Sequence, residues 1–242
     1  MDSDSKKSVF TKCRTDIKIV VVGSSGTGKT SFCSRWTKNT FDKNYRATVM
    51  SDFSYKVYEY KGAYYKIQIW DIAGQDKNIY TSRVFTKGAH GCIIFCDVTN
   101  PETLQNTLKW KKSVDENTKF VDGDFIPCIL VQNKIDLLKE EQLKDNEENV
   151  KEFSKKNKFV NSFKTSCLNG TGIDDVMNFL IQNIIERLEE YSKKTNVPIE
   201  NENRTSIVIQ NTSSTTTNVS LYKGKYICCW NININNLFYF LN

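Results

Sequence analysis

Three short stretches hold residue types that could do chemistry together: GSSGTGKT at 23–30, IWDIAGQ at 69–75 and NKID at 133–136. In the first, glycines let successive backbone N–H groups point into one concavity, and the start of a helix adds the positive end of its dipole. That is a cradle for a polyphosphate, built from Ser25, Gly26, Thr27, Gly28, Lys29, Thr30 and Ser31. The Lys29 ammonium would reach the β- and γ-phosphates, and the Thr30 hydroxyl would ligand Mg²⁺. In the second stretch, Asp71 can hold the magnesium through water, Gly74 lets its N–H approach a γ-phosphate, and Gln75 can orient a water for in-line attack. In the third, beside Asn133 and Lys134, the Asp136 carboxylate can accept from both N1–H and the N2 amino group of guanine. Adenine has neither donor there. Each stretch alone has a plainer reading, as a glycine-rich turn, an Asp-x-x-Gly turn and a polar loop. In this order, each at a strand end, one chemistry uses all three: phosphoryl transfer from a guanine nucleotide to water.

Such residues must be held at one edge of a sheet, and the chain between 15 and 191 alternates strand-like runs with helical patterns. TDIKIVVVG reads as a buried strand and GKTSFCSRWTKN as the helix behind it. SDFSYKVYEY and AYYKIQIWD alternate at period two across Lys61-Gly62, a hairpin signal. GCIIFCDV and FIPCILVQN are continuous apolar runs, as in strands covered on both faces. Pro101 opens the helix PETLQNTLKWKKSV. NVKEFSKKN is a shorter helix, NSFKTS a last strand, and IDDVMNFLIQNIIERLEE a long amphipathic helix. The pattern predicts an α/β domain over 15–191, with a doubly wound, mostly parallel six-stranded sheet and one antiparallel edge strand. Residues 1–14 and 192–242 read as disordered arms.

Charge narrows the function classes. Of a net +6, residues 1–14 carry four basic against two acidic side chains and residues 192–242 five against two, so one net positive charge is left on the body. No basic stripe marks a nucleic-acid binder. The opening MDSDSKKSVF has no apolar signal core, so the compartment is expected to be reducing and the eight cysteines free. No Cys-x-x-Cys pair occurs and the single histidine is His90, which argues against a metal–thiolate site. No segment reaches the ~20 apolar residues of a membrane span.

The three stretches together resemble the Ras-like small GTPases, and more closely their Rab branch. The resemblance covers about residues 15–191. It implies that Phe41 packs against the guanine, that Tyr45 closes over the phosphates, and that Thr48 in YRATV reaches Mg²⁺ and the γ-phosphate of GTP. TSCLN at 165–169 is similar to the last base-binding loop, with Ser166, Cys167 and Leu168 near the base; Leu168 stands where a lysine is common. Phe53, Trp70 and Phe85 match the aromatic trio that Rabs present to effectors, although aromatics in a hairpin are equally expected as core. YRATVMSDFSYKV, WDIAGQ and VKEFSKKNKFVNSFKTS resemble the Rabs of lysosome-related organelles. VMSDF departs from the usual Ile-Gly-Val-Asp-Phe and QDKNIYTSR from a Gln-Glu-Arg-Phe start, which puts effector choice in question.

The resemblance implies a switch that hydrolyses GTP to GDP slowly, with Lys29, Thr48 and Gln75 as its catalytic residues and Mg²⁺ as cofactor. It implies a guanine nucleotide exchange factor, a GTPase-activating protein, GTP-dependent effectors, prenylation machinery and a GDP-dissociation inhibitor as partners of a monomer. A module that holds GTP with negligible hydrolysis is the alternative. Cys228-Cys229 look like the lipidated pair that ends a Rab, which would place the protein on the cytosolic face of endosomal or lysosome-related membranes. WNININNLFYFLN follows the pair, which such a signal does not allow. Its AT-rich codons read as translated non-coding sequence beyond Cys229, and the competing account is a genuine tail.

Overall fold

The computed structural model describes residues 9–44, 46–75, 82–139, 141–142, 147–199, 206–210 and 218–222. At its centre lies β2, Thr15–Gly23, where Ile19 to Val22 are buried without a break. A run of β-branched residues suits a strand covered on both faces. Parallel strands β4 (Ala63–Ile72) and β5 (Gly91–Asp97) flank it, β6 (Cys128–Asn133) and β7 (Asn161–Thr165) extend the sheet, and β3 (Ser51–Tyr60) pairs antiparallel at the far edge. The order β3-β4-β2-β5-β6-β7 is the expected six-stranded, doubly wound arrangement. The chain moves outward from β2 in both directions, so the crevice at the carboxyl ends opens where β2 stops.

The register lines up the chemistry. Val21 lies opposite Asp71, Gly23 opposite Phe95, and Asn133 between Asp97 and Thr165, so all three candidate stretches emerge at one sheet edge.

Helices cover both faces. On one, α1 (Lys29–Lys38) sets Phe32 against Phe95, with ring centroids 5.1 Å apart. On the same face α5 (Ile173–Thr195) packs so closely over Gly91 that a Cβ there would stand 2.7 Å from Ile184 Cδ1. Side chains alternate along a strand, so Cys92, Ile94 and Cys96 face the other way, toward α3 (Pro101–Asn117). Pro101 opens α3 as expected, and Asn100 caps it by accepting from the Glu102 N–H at 3.1 Å. Helices α2 (Ser82–Thr86) and α4 (Glu147–Lys156) complete the described set. The β3–β4 hairpin turns through Lys61 and Gly62 at φ 50° and 74°, the two left-handed residues of a mirror-image turn that suits strand twist.

The flanks differ from expectation. Strand β1 (Val9–Lys12) lies in the stretch read as an N-terminal arm, and β8 (Ser206–Gln210) and β9 (Asn218–Tyr222) in the C-terminal one. They form an antiparallel sheet in the order β1-β8-β9, with Val9 opposite Ile209 and Lys12 opposite Ser206. Helix α5 also runs to Thr195, past residue 191, and ends on Asn196 in the left-handed conformation. SIVIQ holds three β-branched residues in a row and NVSLY starts at period two, but five residues is too short a run to signal a strand without its partner.

Candidate functional site

The site is built on the turn between β2 and α1. Lys29 is 5% exposed and donates to the Ser24 carbonyl at 2.9 Å, as does the Thr27 hydroxyl at 2.8 Å. Burial pushes the Lys29 ammonium down to about 8, with Asp71 opposing. A cation held in so dry a place favours an anion beside it. Gly74 presses on this turn: a Cβ there would lie 2.5 Å from both the Gly23 carbonyl oxygen and Lys29 Nζ. Only glycine permits that approach.

Beside Lys29 the Thr30 and Thr48 hydroxyls lie 2.8 Å apart, and both donate to Asp71 Oδ2. Asp71 is 2% exposed, and its Oδ1 is buried with no hydrogen-bond partner. Burial raises the carboxyl above its usual range, and the Thr30 hydrogen bond and Lys29 charge only partly offset this. Two hydroxyls and a half-satisfied carboxylate are hard oxygen donors, and they fit Mg²⁺. Gln75 is exposed at a cleft of about 490 Å³ between Ser25 and Gly74 on one side and Asn100, Glu102 and Thr103 at the start of α3 on the other. Met50, whose carbonyl accepts from the Ala73 N–H, takes a left-handed φ of 62°, where glycine is at ease and methionine is not.

The base side is reached through Asn133, 1% exposed. Its amide donates to the Thr27 carbonyl at 2.9 Å and accepts from the Thr165 hydroxyl at 3.0 Å and the Cys167 N–H at 3.3 Å. One side chain thus ties the phosphate turn to both neighbouring loops. Gly28, at φ 96°, leaves it room, since a Cβ would lie 2.1 Å from the Asn133 amide nitrogen. Lys134, at φ 71°, pairs with Asp97. Burial pushes the Asp97 carboxyl up, but hydrogen bonds from Lys134 and Thr99 outweigh it and hold the group below its usual range.

Asp136 lies exposed on the short 3-10 turn Ile135–Leu137, and its Oδ1 accepts from the buried Ser166 hydroxyl. Burial pushes the Cys167 thiol up to about 12, while Leu168 is 46% exposed. Arg35 of α1 donates to the Cys167 carbonyl at 3.0 Å and the Leu168 carbonyl at 2.6 Å, and its guanidinium carbon stands 5.8 Å from the centre of the half-buried Phe41 ring. Arg35, Asp97 and Thr165 were not foreseen. Asp97 ends an apolar strand much as Asp71 does, a signal that could have found it; nothing in the sequence marks Arg35.

Phe53 and Trp70 are cross-strand partners with ring centroids 5.1 Å apart, and Phe85 lies 6.4 Å beyond Trp70. Trp70 and Phe85 are partly buried against the core, and Phe53 is half-buried over Trp70. Tyr45, Cys228, Cys229 and residues 230–242 lie outside the described residues.

The Ras family profile matches residues 18–186. The chain is 34% identical over 174 residues to human Ras-related protein Rab-7L1, covering 72% of this chain and 84% of that one. It is 33% identical over 183 residues to pig Ras-related protein Rab-32, covering 74% and 79%. For Ras-related protein Rab-32C of Dictyostelium discoideum the figures are 32% over 190 residues, 78% and 83%. With the sheet order and the phosphate turn already in place, these likenesses make the chain a Rab-family small GTPase of the Ras family, related to the Rabs of lysosome-related organelles: a GTP-binding switch in membrane trafficking.

Proposed function

We propose that this switch hydrolyses GTP, slowly and without an arginine supplied by its own chain. The observation that carries the reading is the convergence of Thr30, Thr48 and Asp71 beside the buried Lys29. Phosphoryl transfer needs positioning and charge neutralisation more than covalent chemistry. Lys29 neutralises the β- and γ-phosphates, and the N–H groups from Ser25 to Ser31 and of Gly74 cradle their oxygens. Thr30 and Thr48 would hold Mg²⁺ directly and Asp71 would hold it through water; that ion supplies further positive charge at the transferred group. Gln75 and the Thr48 backbone orient the attacking water. On the base side Asp136 accepts from guanine, Ser166 fixes that carboxylate, and Asn133 and Lys134 shape the loop. Phe41, Cys167 and Leu168 border the ring, and Tyr45 closes over the phosphates.

The same reading gives Phe53, Trp70 and Phe85 to GTP-dependent effectors. An exchange factor and an activating protein set the nucleotide state. Prenylation at Cys228 and Cys229, delivery by a GDP-dissociation inhibitor, and residence on the cytosolic face of endosomal or lysosome-related membranes complete it. Among the described residues no helix is long and apolar enough to cross a membrane. In this reading the membrane is held through the lipidated pair, since two chains hold stably where one does not.

The test is single-turnover hydrolysis of GTP bound to the purified protein. The wild type should convert GTP to GDP, and Gln75→Leu should retain binding while slowing conversion by at least about tenfold, given how much rate a water-positioning residue carries. Stable GTP on the wild-type protein would favour a module that binds without hydrolysis.

A further inference from the structure

We propose that Arg35 is a positioning residue for guanine recognition: a clamp that holds the TSCLN loop, and through it Asp136, against the base. The inference rests on the base pocket proposed above and goes beyond it, since Arg35 contacts no part of the nucleotide in that reading.

The geometry is specific. Nε and Nη2 donate to the carbonyls of consecutive residues, Cys167 and Leu168, at 3.0 and 2.6 Å. A guanidinium presents such donors in a rigid fork, which an ammonium cannot reproduce. Nη1 also reaches the Asn39 carbonyl at 3.4 Å, where α1 ends on a left-handed residue. The guanidinium carbon lies 5.8 Å from the centre of the Phe41 ring. One side chain therefore joins three segments that border the base: the end of α1, the Phe41 stretch and the loop after β7.

The consequence follows along the chain. Ser166 precedes Cys167 and donates to Asp136 Oδ1. Its N–H is held by the Thr171 carbonyl at 3.0 Å, and the Asn169 N–H leans on its hydroxyl at 3.4 Å. Leu168 is 46% exposed, and its carbonyl accepts from Arg35. The outer half of this loop is thus held from α1 by Arg35. Releasing it lets Ser166 and Asp136 drift, and the contact to suffer most is the paired one to N1–H and the N2 amino group. The same helix carries Lys29 and Thr30 in its first turn, so one rigid element references the base to the phosphates.

The experiment compares GDP with inosine diphosphate, which lacks the N2 amino group, on wild type, Arg35→Ala and Arg35→Lys. Arg35→Ala should speed GDP release by about tenfold, the scale of one lost charge-assisted hydrogen bond, and should shrink the preference for GDP over inosine diphosphate. Arg35→Lys, which can reach one carbonyl but not both, should fall between them; it also keeps the test open if the alanine variant does not fold. An equal loss of both nucleotides would mean that Arg35 merely braces the domain, and would overturn the clamp. A wild-type protein with no preference between the two would instead sink the base-pocket reading. A normal wild-type preference left intact by both variants sinks the clamp alone.

Discussion

Asp136 shows how much rests on one carboxylate. It is exposed, and its Oδ1 accepts from the Ser166 hydroxyl, so in the proposed base pocket it would offer guanine a prepared acceptor pair. Asp136→Asn replaces one acceptor with a donor and should weaken GDP binding by roughly 2–4 kcal/mol, or about 30- to 1,000-fold, while improving xanthine nucleotides. A titration that finds GDP affinity unchanged would remove Asp136 from the base site. The candidate residues of this kind could be picked out in the sequence because phosphate, metal and base would each demand particular residue types at particular spacings. Asn133 was legible only as a member of NKID. Its observed work, tying Thr27, Thr165 and Cys167 together, depends on strand register, which the tetrapeptide does not encode. Arg35 was invisible for the same reason: its two partners in the TSCLN loop lie more than 130 positions away and are backbone carbonyls, which any residue supplies.

Among elements, strands were legible where side-chain pattern and turn chemistry agreed. Lys61-Gly62 between two alternating runs sufficed for the hairpin, and the β-branched run ending at Gly23 for the central strand. The pairing of β2 with β5 adds a feature that composition hid. His90, just before β5, donates its N–H to the Lys18 carbonyl at 2.8 Å, and its Nδ1 accepts from the Lys18 N–H at 3.0 Å. That acceptor exists only on a neutral ring. Burial, reinforced by the Lys18 charge and opposed by Asp16, holds the His90 pKa below its ordinary 6.5. The unfolded chain therefore binds a proton that the folded chain refuses. Stability is fully present above about pH 6.5 and declines as the pH falls from there toward the lower folded value, by at most about 1.4 kcal/mol per pH unit. Denaturant titrations at pH 7.5 and 5.5 should show this loss in the wild type and a smaller one in His90→Asn. Parallel losses in the two proteins would show that His90 does not carry it.

At the scale of the whole molecule, the G domain and its flanks answer to different rules. The domain's contacts follow from buried runs, whereas the β1-β8-β9 sheet joins segments from opposite ends of the chain. Its location follows from the neighbours of β1. The Arg14 N–H donates to the Tyr64 carbonyl at 2.7 Å, and the Arg14 side chain pairs with Glu189 near the end of α5 at 2.9 Å. β1 therefore leaves the body at the amino end of β2, while the nucleotide turn lies at the carboxyl end, nine residues and about 30 Å away. β1 takes its only described ladder from β8, across a very long chain closure whose entropy cost grows slowly with length. Ending the chain after Ile199 removes β8 and β9 together. In hydrogen exchange, the amides of Val9–Lys12 should then lose their protection while Ile17–Val22 of β2 keep theirs. GDP affinity should stay within about twofold, as expected for sites this far apart with no shared partner. Equal exchange at Val9–Lys12 in the full and shortened chains would show that the pairing does not hold in solution. A large fall in GDP affinity would show instead that the flanking sheet reaches the nucleotide end through α5.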